Sequence, residues 1–387
     1  MIKPLGSTVS AVPPSGIRKY FDLAQGMAGL ISLGVGEPDY ATPWRVTEAG
    51  ITALEAGRTS YTSNMGLPEL RLAVCADLRE RYGVSYQAGT ECLVTAGVSE
   101  ALDLAMRVLC DPGDEVIIPE PAYVAYGPCV AFAGAVPVYV PGSAADGWRV
   151  DPAAVEAAVT PRTKAILVAS PANPTGAVQS AADLAAIAGI ADRHGLYLVS
   201  DEIYAQLTYG GTGHVCLASL PGARDRTLLL GGVSKAYAMT GWRVGWLCAP
   251  AAVTEMACRV HQYTALCASH PAQAAALEAL NGAEDDVRRM IADYDRRRRV
   301  FTAGLRDIGL DCPEPAGAFY AFPSIEATGL SSQEFAERLL RAEQVAVIPG
   351  DVFGPSGEGH VRCCYATAMP DLDEALRRME RFVSKFL

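Results

Sequence analysis

The sequence lacks the features that mark membrane and secreted proteins. No window approaches the ~20 uninterrupted apolar residues of a membrane-spanning helix, and residues 1–10 contain no apolar run of the kind found in a secretory signal. The eleven cysteines include no C-x-x-C pair, and no histidine is spaced as a zinc partner. We therefore expect reduced thiols, no metal site, no membrane contact and a cytoplasmic location.

Positive charge is also scarce. Lys and Arg total 32 against 43 Asp and Glu, for a formal net charge of −11. Nucleic acids are held through clustered basic side chains, so this balance argues against a nucleic-acid partner. The one basic run, Arg296 to Arg299, follows Asp293 and Asp295, and we interpret it as the solvated face of a long helix.

Short apolar runs alternate with helical stretches from about residue 46 to 280. This pattern predicts a mainly parallel sheet covered by helices on both faces. Predicted strands lie at 92–95, 115–118, 136–140, 165–169, 196–200, 227–230 and 244–249, with helices at 99–109, 181–193 and 251–263.

The pattern changes after residue 284, where a long amphipathic stretch (284–308) begins. A helix near 332–341, an apolar run at 345–348, a strand at 361–365 and a last helix at 372–386 follow. These elements predict a smaller α/β domain. We therefore divide the chain into an N-terminal segment that joins the small domain (1–45), a large domain (46–283) and a small C-terminal domain (284–387).

Lys235 lies in an unusual setting, the window 232–245 with the sequence GVSKAYAMTGWRVG, in a loop between two predicted strands. Desolvation lowers the pKa of an amine, which suits a nucleophile or a Schiff-base former. The alternative is a lysine exposed on a turn, and this window alone does not decide between them.

Asp201 ends a predicted apolar strand and is followed by Glu202, Ile203 and Tyr204. In open α/β sheets, ligands gather at the carboxyl ends of the strands. A buried carboxylate there needs a cationic partner, and a protonated pyridine nitrogen is one. A helix cap or a metal ligand is the alternative, but no His or acidic cluster supports a metal.

Two glycine-containing turns are candidate anion sites. Residues 95–100 (TAGVSE) join a strand to a helix whose free amides can bind an anion, with Ser99 as a cap. Residues 34–36 (GVG) lack a third glycine three positions on, where Asp39 stands. The dinucleotide fingerprint therefore fails, and a nicotinamide-dependent dehydrogenase is not favoured.

Taken together and in order, these windows resemble the class I/II aminotransferases of fold type I, and most closely the aspartate/aromatic aminotransferases. The window at Lys235 matches the lysine signature of that family, including an arginine eight positions later. The matching segments are 34–38, 61–70, 97–99, 121–126, 173–176, 201–204, 235–243 and Arg362. The resemblance implies a fold type I transferase that depends on pyridoxal 5'-phosphate (PLP), with a seven-stranded, mainly parallel sheet in the large domain.

The resemblance also implies roles for individual residues. Lys235 would hold PLP as a Schiff base and later carry the proton to and from the substrate Cα. Asp201 would keep the pyridine nitrogen protonated, so that the ring accepts electrons. Tyr204 and Asn173 would hydrogen-bond the phenolic oxygen of PLP, and Tyr123 would stack on the ring.

At the phosphate, Arg243 and the backbone of Val98 and Ser99 would be the ligands, with Gly97 in the same turn. Tyr61 matches a tyrosine that reaches the phosphate of the neighbouring subunit, which implies a homodimer with shared sites.

The chain departs from the family at one phosphate position. Many members carry a serine or threonine three positions before the lysine, where this chain has Gly232. One hydroxyl contact to phosphate is therefore in doubt, and Ser234 is the candidate to replace it.

At the substrate, Arg362 would grip the α-carboxylate through two parallel hydrogen bonds, with a strand-edge salt bridge as the alternative. Gly36 lies in a loop whose backbone closes over the same carboxylate, and Asn173 would border it. Arg18 sits in a segment that often closes over substrate. No residue can be assigned from the sequence as a second arginine that binds a substrate carboxylate.

The implied reaction is a ping-pong transfer of an amino group from an L-amino acid to a 2-oxo acid. Segments 261–263 (HQY) and 267–269 (CAS) resemble the aspartate/aromatic and acyl-diaminopimelate branch. We expect aspartate, an aromatic or a related amino acid, with glutamate and 2-oxoglutarate as a pair. A β-lyase or synthase would use the same Lys and Asp. A ligand-sensing module of a transcription regulator is disfavoured by the acidic balance and by the absence of a DNA-binding segment ahead of the fold.

Overall fold

The structure is a computed structural model that describes residues 2–24 and 26–387. The N-terminal elements are α1 (Ser7–Ala11), α2 (Gly16–Ala24), β1 (Ile31–Ser32), α3 (Trp44–Glu55) and α4 (Pro68–Tyr82). The central elements are β2 (Cys92–Thr95), α5 (Val98–Leu109), β3 (Glu115–Pro119), α6 (Tyr126–Phe132), β4 (Val136–Val140), α7 (Pro152–Ala157), β5 (Thr163–Ala169), α8 (Ala181–His194), β6 (Tyr197–Asp201), β7 (Thr227–Gly232), β8 (Gly245–Cys248), α9 (Ala251–Thr264) and α10 (His270–Gly282). The C-terminal elements are α11 (Glu284–Asp307), β9 (Tyr320–Ala321), α12 (Ser332–Glu343), β10 (Val345–Ala346), β11 (Ile348–Pro349), β12 (Val361–Cys364) and α13 (Met369–Val383).

The seven predicted strands of the central region all form, and they make one sheet in the order β2-β8-β7-β6-β5-β3-β4. Strand β8 runs antiparallel to both of its neighbours, β7 and β2, and the other neighbouring pairs are parallel. The prediction of a mainly parallel sheet is confirmed.

Both faces of this sheet are buried, as the near-continuous apolar strands predict. Consecutive residues of a strand point to opposite faces, and in β5 Ile166 is 0% and Leu167 is 1% exposed. Ile166 belongs to an apolar cluster with Leu184 and Ile187 of α8, and Leu167 to a cluster with residues of α5 and α9. The sheet is therefore rigidly packed, and its parallel strands bring their carboxyl ends to one edge.

The N-terminal segment packs on C-terminal elements. Strand β1 pairs in parallel with β10, with Ile31 opposite Val345, and the Tyr20 hydroxyl donates to Gln333 of α12 at 2.7 Å. The apolar run at 345–348 forms two short strands, because the chain changes sheets within it. Strand β10 pairs with β1, while β11 pairs with β12 in a separate antiparallel sheet with β9.

The interpretation of the basic run as solvated is wrong for two of its four residues. Arg297 and Arg298 are each only 6% exposed, whereas the side chains of Arg296 and Arg299 are 63% and 62% exposed. The four residues occupy about one turn of α11, so their side chains point in different directions around the helix. Those of Arg297 and Arg298 point toward the interior of the protein.

None of the helices in residues 2–24 and 26–387 combines the length and the apolar character that crossing a membrane requires.

Candidate active site

One cavity of about 290 Å³ lies at the carboxyl edge of the sheet. That volume is at the lower end of small-molecule sites, roughly 300–1,000 Å³. All but three of the site residues predicted from the sequence line it. The residues brought together are Gly36, Val98, Ser99, Tyr123, Asn173, Asp201, Tyr204, Ser234, Lys235, Arg243 and Arg362.

Lys235 follows β7 and reaches into this cavity, where its Nζ donates to the backbone carbonyl of Gly36 at 2.7 Å. Burial disfavours the charged amine and lowers the pKa of Lys235 from 10.5 to about 8. The positive charges of Arg362 and Arg243 lower the pKa further, although Cys364 and Glu37 act in the opposite direction. A substantial fraction of this amine is therefore neutral near physiological pH and available as a nucleophile.

Asp201 is the last residue of β6 and is 7% exposed. Its Oδ2 accepts a 2.7 Å hydrogen bond from the Tyr126 hydroxyl, and its Oδ1 accepts from the backbone N–H of Ile203 at 3.2 Å. Burial raises the pKa of Asp201, and the two hydrogen bonds and Lys235 partly oppose that rise. A carboxylate buried in this way is stabilised most by a cation placed against it.

Arg362, in β12, is 2% exposed and approaches the same cavity from the C-terminal elements. Its Nη1 donates to Asn173 Oδ1 at 2.9 Å and its Nη2 to the Gly34 carbonyl at 2.7 Å. The guanidinium lies 4.6 Å from the ring centroid of Tyr320. Its Nε is buried and has no partner in the described part of the chain, so a bound anion would satisfy a donor that is otherwise unpaired.

The start of α5 forms a second place for an anion. Gly97 precedes this helix with φ +80, and a Cβ at Gly97 would lie 2.5 Å from Nη2 of Arg243. The Arg243 guanidinium therefore lies against the turn that leads into α5, whose first amides, those of Val98 and Ser99, are suited to an anion. Arg243 is itself held by a 2.9 Å hydrogen bond to the Thr240 carbonyl.

A side chain at Gly232, the position that departs from the family pattern, would be crowded. A Cβ at this position would lie 3.1 Å from both the Gly245 Cα and the Val244 carbonyl oxygen and 3.2 Å from a Val98 methyl. A serine would need the start of α5 or strand β8 to move. Ser234, 6% exposed, lines the cavity beside Lys235.

Aromatic side chains form one wall of the cavity. The hydroxyls of Tyr204 and Tyr320 are 2.7 Å apart, and burial raises the pKa of Tyr204 well above its ordinary value. Tyr123 packs edge-to-face on Tyr126 at 5.6 Å between ring centroids. The phenols of Tyr204 and Tyr320 therefore stay protonated at physiological pH and can donate hydrogen bonds.

The three predicted residues outside the cavity lining have different surroundings. Gly97 lies directly behind it at the start of α5. Tyr61 is 80% exposed. Arg18 is an exposed residue of α2, although its neighbour Ile17 does line the cavity.

Several residues at the site were not predicted from the sequence. Tyr126 falls within the matched segment 121–126, and this match was the signal from which its hydrogen bond to Asp201 could have been predicted. Tyr320 and Ile17 carry no local signal, because only the packing of distant segments brings them to the cavity. His261 belongs to a segment that resembles the family, but its contact was not predicted: its Nδ1 lies 2.7 Å from Glu100 in the first turn of α5.

Comparison with known proteins decides the family. Residues 28–379 match the family described as aminotransferase class I and II. The Bacillus subtilis (strain 168) protein YugH is 51% identical over 385 residues, which cover 100% of both chains. Aromatic-amino-acid aminotransferase 2 of Thermococcus litoralis is 42% identical, with 98% of each chain covered.

This chain belongs to the class I and II aminotransferases.

The solved structures agree with that assignment. Aspartate aminotransferase from Thermus thermophilus with maleate has a TM-score of 0.93 and 40% identity, covering 98% of this chain and 100% of that one. The resemblance and the fold expected from the sequence are confirmed. The protein is an aminotransferase with PLP as its cofactor, and the β-lyase or synthase alternative is not favoured by relatives that are named aminotransferases.

The cavity of this aminotransferase fits PLP. The amine of Lys235, of which a substantial fraction is neutral, suits the aldehyde, the buried Asp201 carboxylate suits a protonated pyridine nitrogen, and the α5 start with Arg243 suits a phosphate. Each of these groups needs a partner of opposite or complementary character, and PLP supplies all three.

The lowered pKa of Lys235 predicts how the amine reacts with pH. Its neutral, reactive fraction rises as the pH increases through about 8, so the rate at which cofactor-free protein combines with added PLP should rise through that pH and then level off. Borohydride trapping at a series of pH values measures this rate. A rate that kept rising toward the ordinary lysine value of 10.5 would contradict the burial argument.

Proposed function

We propose that this aminotransferase moves the amino group of an L-amino acid to a 2-oxo acid in a ping-pong cycle, with Lys235 as its central residue. The observation that carries the proposal is the Lys235 amine, with a pKa of about 8, enclosed in one cavity with the Asp201 carboxylate and the Arg362 guanidinium. When bound, PLP withdraws electrons from the substrate Cα. The protein's task is to bind, orient and move a proton.

Lys235 would attach the cofactor and, once released by the substrate amine, carry the proton from Cα. A neutral amine is required for both tasks, and the burial that lowers its pKa supplies one at physiological pH. Asp201, oriented by Tyr126, would hold the proton on the pyridine nitrogen. A protonated nitrogen keeps the ring able to accept electrons.

The remaining cofactor contacts follow from the other lining residues. Tyr204, oriented by the 2.7 Å contact with Tyr320, and Asn173 would hydrogen-bond the phenolic oxygen. Tyr123 would stack on the ring. At the phosphate we place Arg243, the turn at Gly97, the amides of Val98 and Ser99, and the hydroxyl of Ser234.

We also propose a homodimer. Tyr61 is 80% exposed and outside the cavity lining of its own chain, which supports a role at the phosphate of the neighbouring subunit. A large exposed aromatic side chain is the type of residue that protein interfaces use as an anchor.

At the substrate, Arg362 would bind the α-carboxylate, with the Gly36 backbone and Asn173 beside it and Arg18 at the entrance. The unpaired Nε of Arg362 supports this role. Oriented binding of the carboxylate sets the direction of the Cα–H bond relative to the ring.

We propose an aspartate, aromatic or related amino acid as donor, with glutamate and 2-oxoglutarate as a pair, because relatives are named aspartate and aromatic-amino-acid aminotransferases. Within the described lining, the guanidinium groups are Arg243 and Arg362. With Arg243 at the phosphate and Arg362 at the α-carboxylate, the described cavity lining has no further guanidinium for a second carboxylate.

Two further proposals concern the chain as a whole. The division at 1–45, 46–283 and 284–387 is supported by the pairing of β1 with β10 and by the separate seven-stranded sheet. A cytoplasmic location is supported by the eleven cysteines, all of which are free thiols.

The function is tested by a half-reaction. Protein loaded with PLP and mixed with single amino acids should convert the cofactor to its amine form. In a separate sample without amino acid, borohydride should fix PLP to Lys235. Lys235→Ala should fold normally but lose both the fixed adduct and multiple turnover. Sustained turnover by that variant would refute the assignment.

Asp201→Asn tests the pairing with the pyridine nitrogen. Asparagine preserves the shape but cannot stabilise a proton on that nitrogen, so we expect turnover to fall by a factor on the order of 10²–10³ or more. Stopped-flow measurement of the half-reaction checks this. A near-normal rate in a variant with a full cofactor content would rule out the pairing.

Arg362→Lys tests the carboxylate site. Lysine keeps the charge but loses the two-pronged geometry, and a charge-assisted hydrogen bond is worth about 1.5–3 kcal/mol. The KM of every amino donor should therefore rise about tenfold or more. Unchanged KM values for all donors would remove Arg362 from the site.

A further inference from the structure

Arg297 of α11 is a buried arginine that the proposed reaction does not use. Its Nη1 donates to Asp39 Oδ2 at 2.8 Å and to the Thr367 carbonyl at 2.9 Å, and its Nη2 lies 2.8 Å from Asp293 Oδ2. The side chain is 8% exposed. A buried guanidinium is tolerated only with such partners, so its position and that of Asp39 are tied together.

Asp39 belongs to the loop 36–42, which borders the cavity. The first residue of that loop is Gly36, whose carbonyl oxygen accepts from Lys235 Nζ at 2.7 Å and which lines the cavity. Asp39, the partner of Arg297, is therefore only three residues along the chain from Gly36, whose backbone lies in the cavity.

The same loop is also attached to the segment that carries Lys235. Thr240 donates to Glu37 at 3.0 Å, and Thr42 donates to the Ala238 carbonyl at 2.6 Å. On the other side, Tyr40 donates to Asp293 of α11 at 2.6 Å. Loop 36–42 is thus held between the lysine segment of the large sheet and helix α11, and Arg297 is the buried charge on the α11 side.

The Arg297 guanidinium contacts two aromatic rings and two carboxylates, which fix its orientation. Arg297 lies 5.4 Å from the ring centroid of Tyr40 and 5.6 Å from that of Tyr294, so aromatic side chains support it. It contacts Asp39 and Asp293 at once, so neither carboxylate can shift without breaking a charged contact with the buried guanidinium.

We propose that Arg297 is a positioning residue: through Asp39 it fixes the loop 36–42, so that the Gly36 backbone is already in place when a substrate carboxylate reaches Arg362. The inference rests on the proposed function, because it takes Arg362 as the carboxylate ligand. Arg362 Nη2 donates to the Gly34 carbonyl at 2.7 Å and Lys235 Nζ to the Gly36 carbonyl, so the stretch that leads into this loop contacts both residues.

The test uses Asp39→Ala in the PLP-loaded enzyme. This change removes the link to the loop but leaves Arg297 paired with Asp293, so no charge is left buried without a partner. We expect the KM for amino donors and 2-oxo acids to rise about tenfold while kcat stays within about twofold, the pattern of lost ground-state binding. Asp39→Asn keeps an acceptor for Arg297, so its KM should rise less than that of Asp39→Ala.

Arg299→Ala is the matched control, because Arg299 lies two residues beyond Arg297 on α11 but has a 62% exposed side chain and pairs at 3.5 Å with Asp295, which is not a partner of Arg297. Its KM and kcat should equal those of the unaltered enzyme. Arg297→Lys, measured alongside, should show the same KM rise as Asp39→Ala, since an ammonium cannot bridge both carboxylates in the same geometry.

The outcomes separate this inference from the proposed function. If Arg362→Lys raises KM but Asp39→Ala does not, the positioning role is overturned and the carboxylate site stands. If Asp39→Ala lowers kcat, cofactor content and thermal stability together, the ion pair is merely structural and the inference is overturned. If Arg362→Lys leaves KM unchanged, both are overturned.

Discussion

The structure depends on keeping three ionisable groups out of water in one cavity. Asp201 and Arg362 are buried, and Lys235 is half-buried in the same cavity, so desolvation destabilises each of these groups in its charged form. The protein offsets this with hydrogen bonds from Tyr126 and to Asn173. A cofactor would complete the site at the Lys235 amine, and a carboxylate would complete it at Arg362 Nε, which has no partner within residues 2–24 and 26–387.

The parallel sheet explains why these groups meet. Strands that run in the same direction end at one edge, so Asp201 at the end of β6, Lys235 after β7 and the turn after β2 lie close although they are far apart in sequence. The sheet is packed on both faces and holds these positions rigidly. The substrate end is different: Gly36, Arg362 and Tyr320 come from the N-terminal segment and the C-terminal elements, and they close the cavity against the edge of the sheet.

Sequence-based prediction succeeded where a residue's role is set by its own neighbours in the chain. The seven strands were recognised because runs buried on both faces are apolar throughout, and Lys235 because a lysine among small apolar residues is seldom a solvated charge. Prediction failed where a role depends on a distant partner. Arg297 was interpreted as a solvated charge because nothing nearby in sequence reveals Asp39, and the run 345–348 hid a change of sheet.

The sequence alone therefore determined the type of fold and the order of its motifs, since these follow from apolar patterning and local spacing, and the resemblance of the ordered motifs to known proteins pointed to the family. Only the tertiary structure decided how those motifs form one site: that Tyr126 supports Asp201, that Tyr320 faces Tyr204, and that α11 grips the loop beside Gly36. The reason is physical. Periodicity reports which side of an element is buried, but burial against a particular partner is settled only when separate segments pack together.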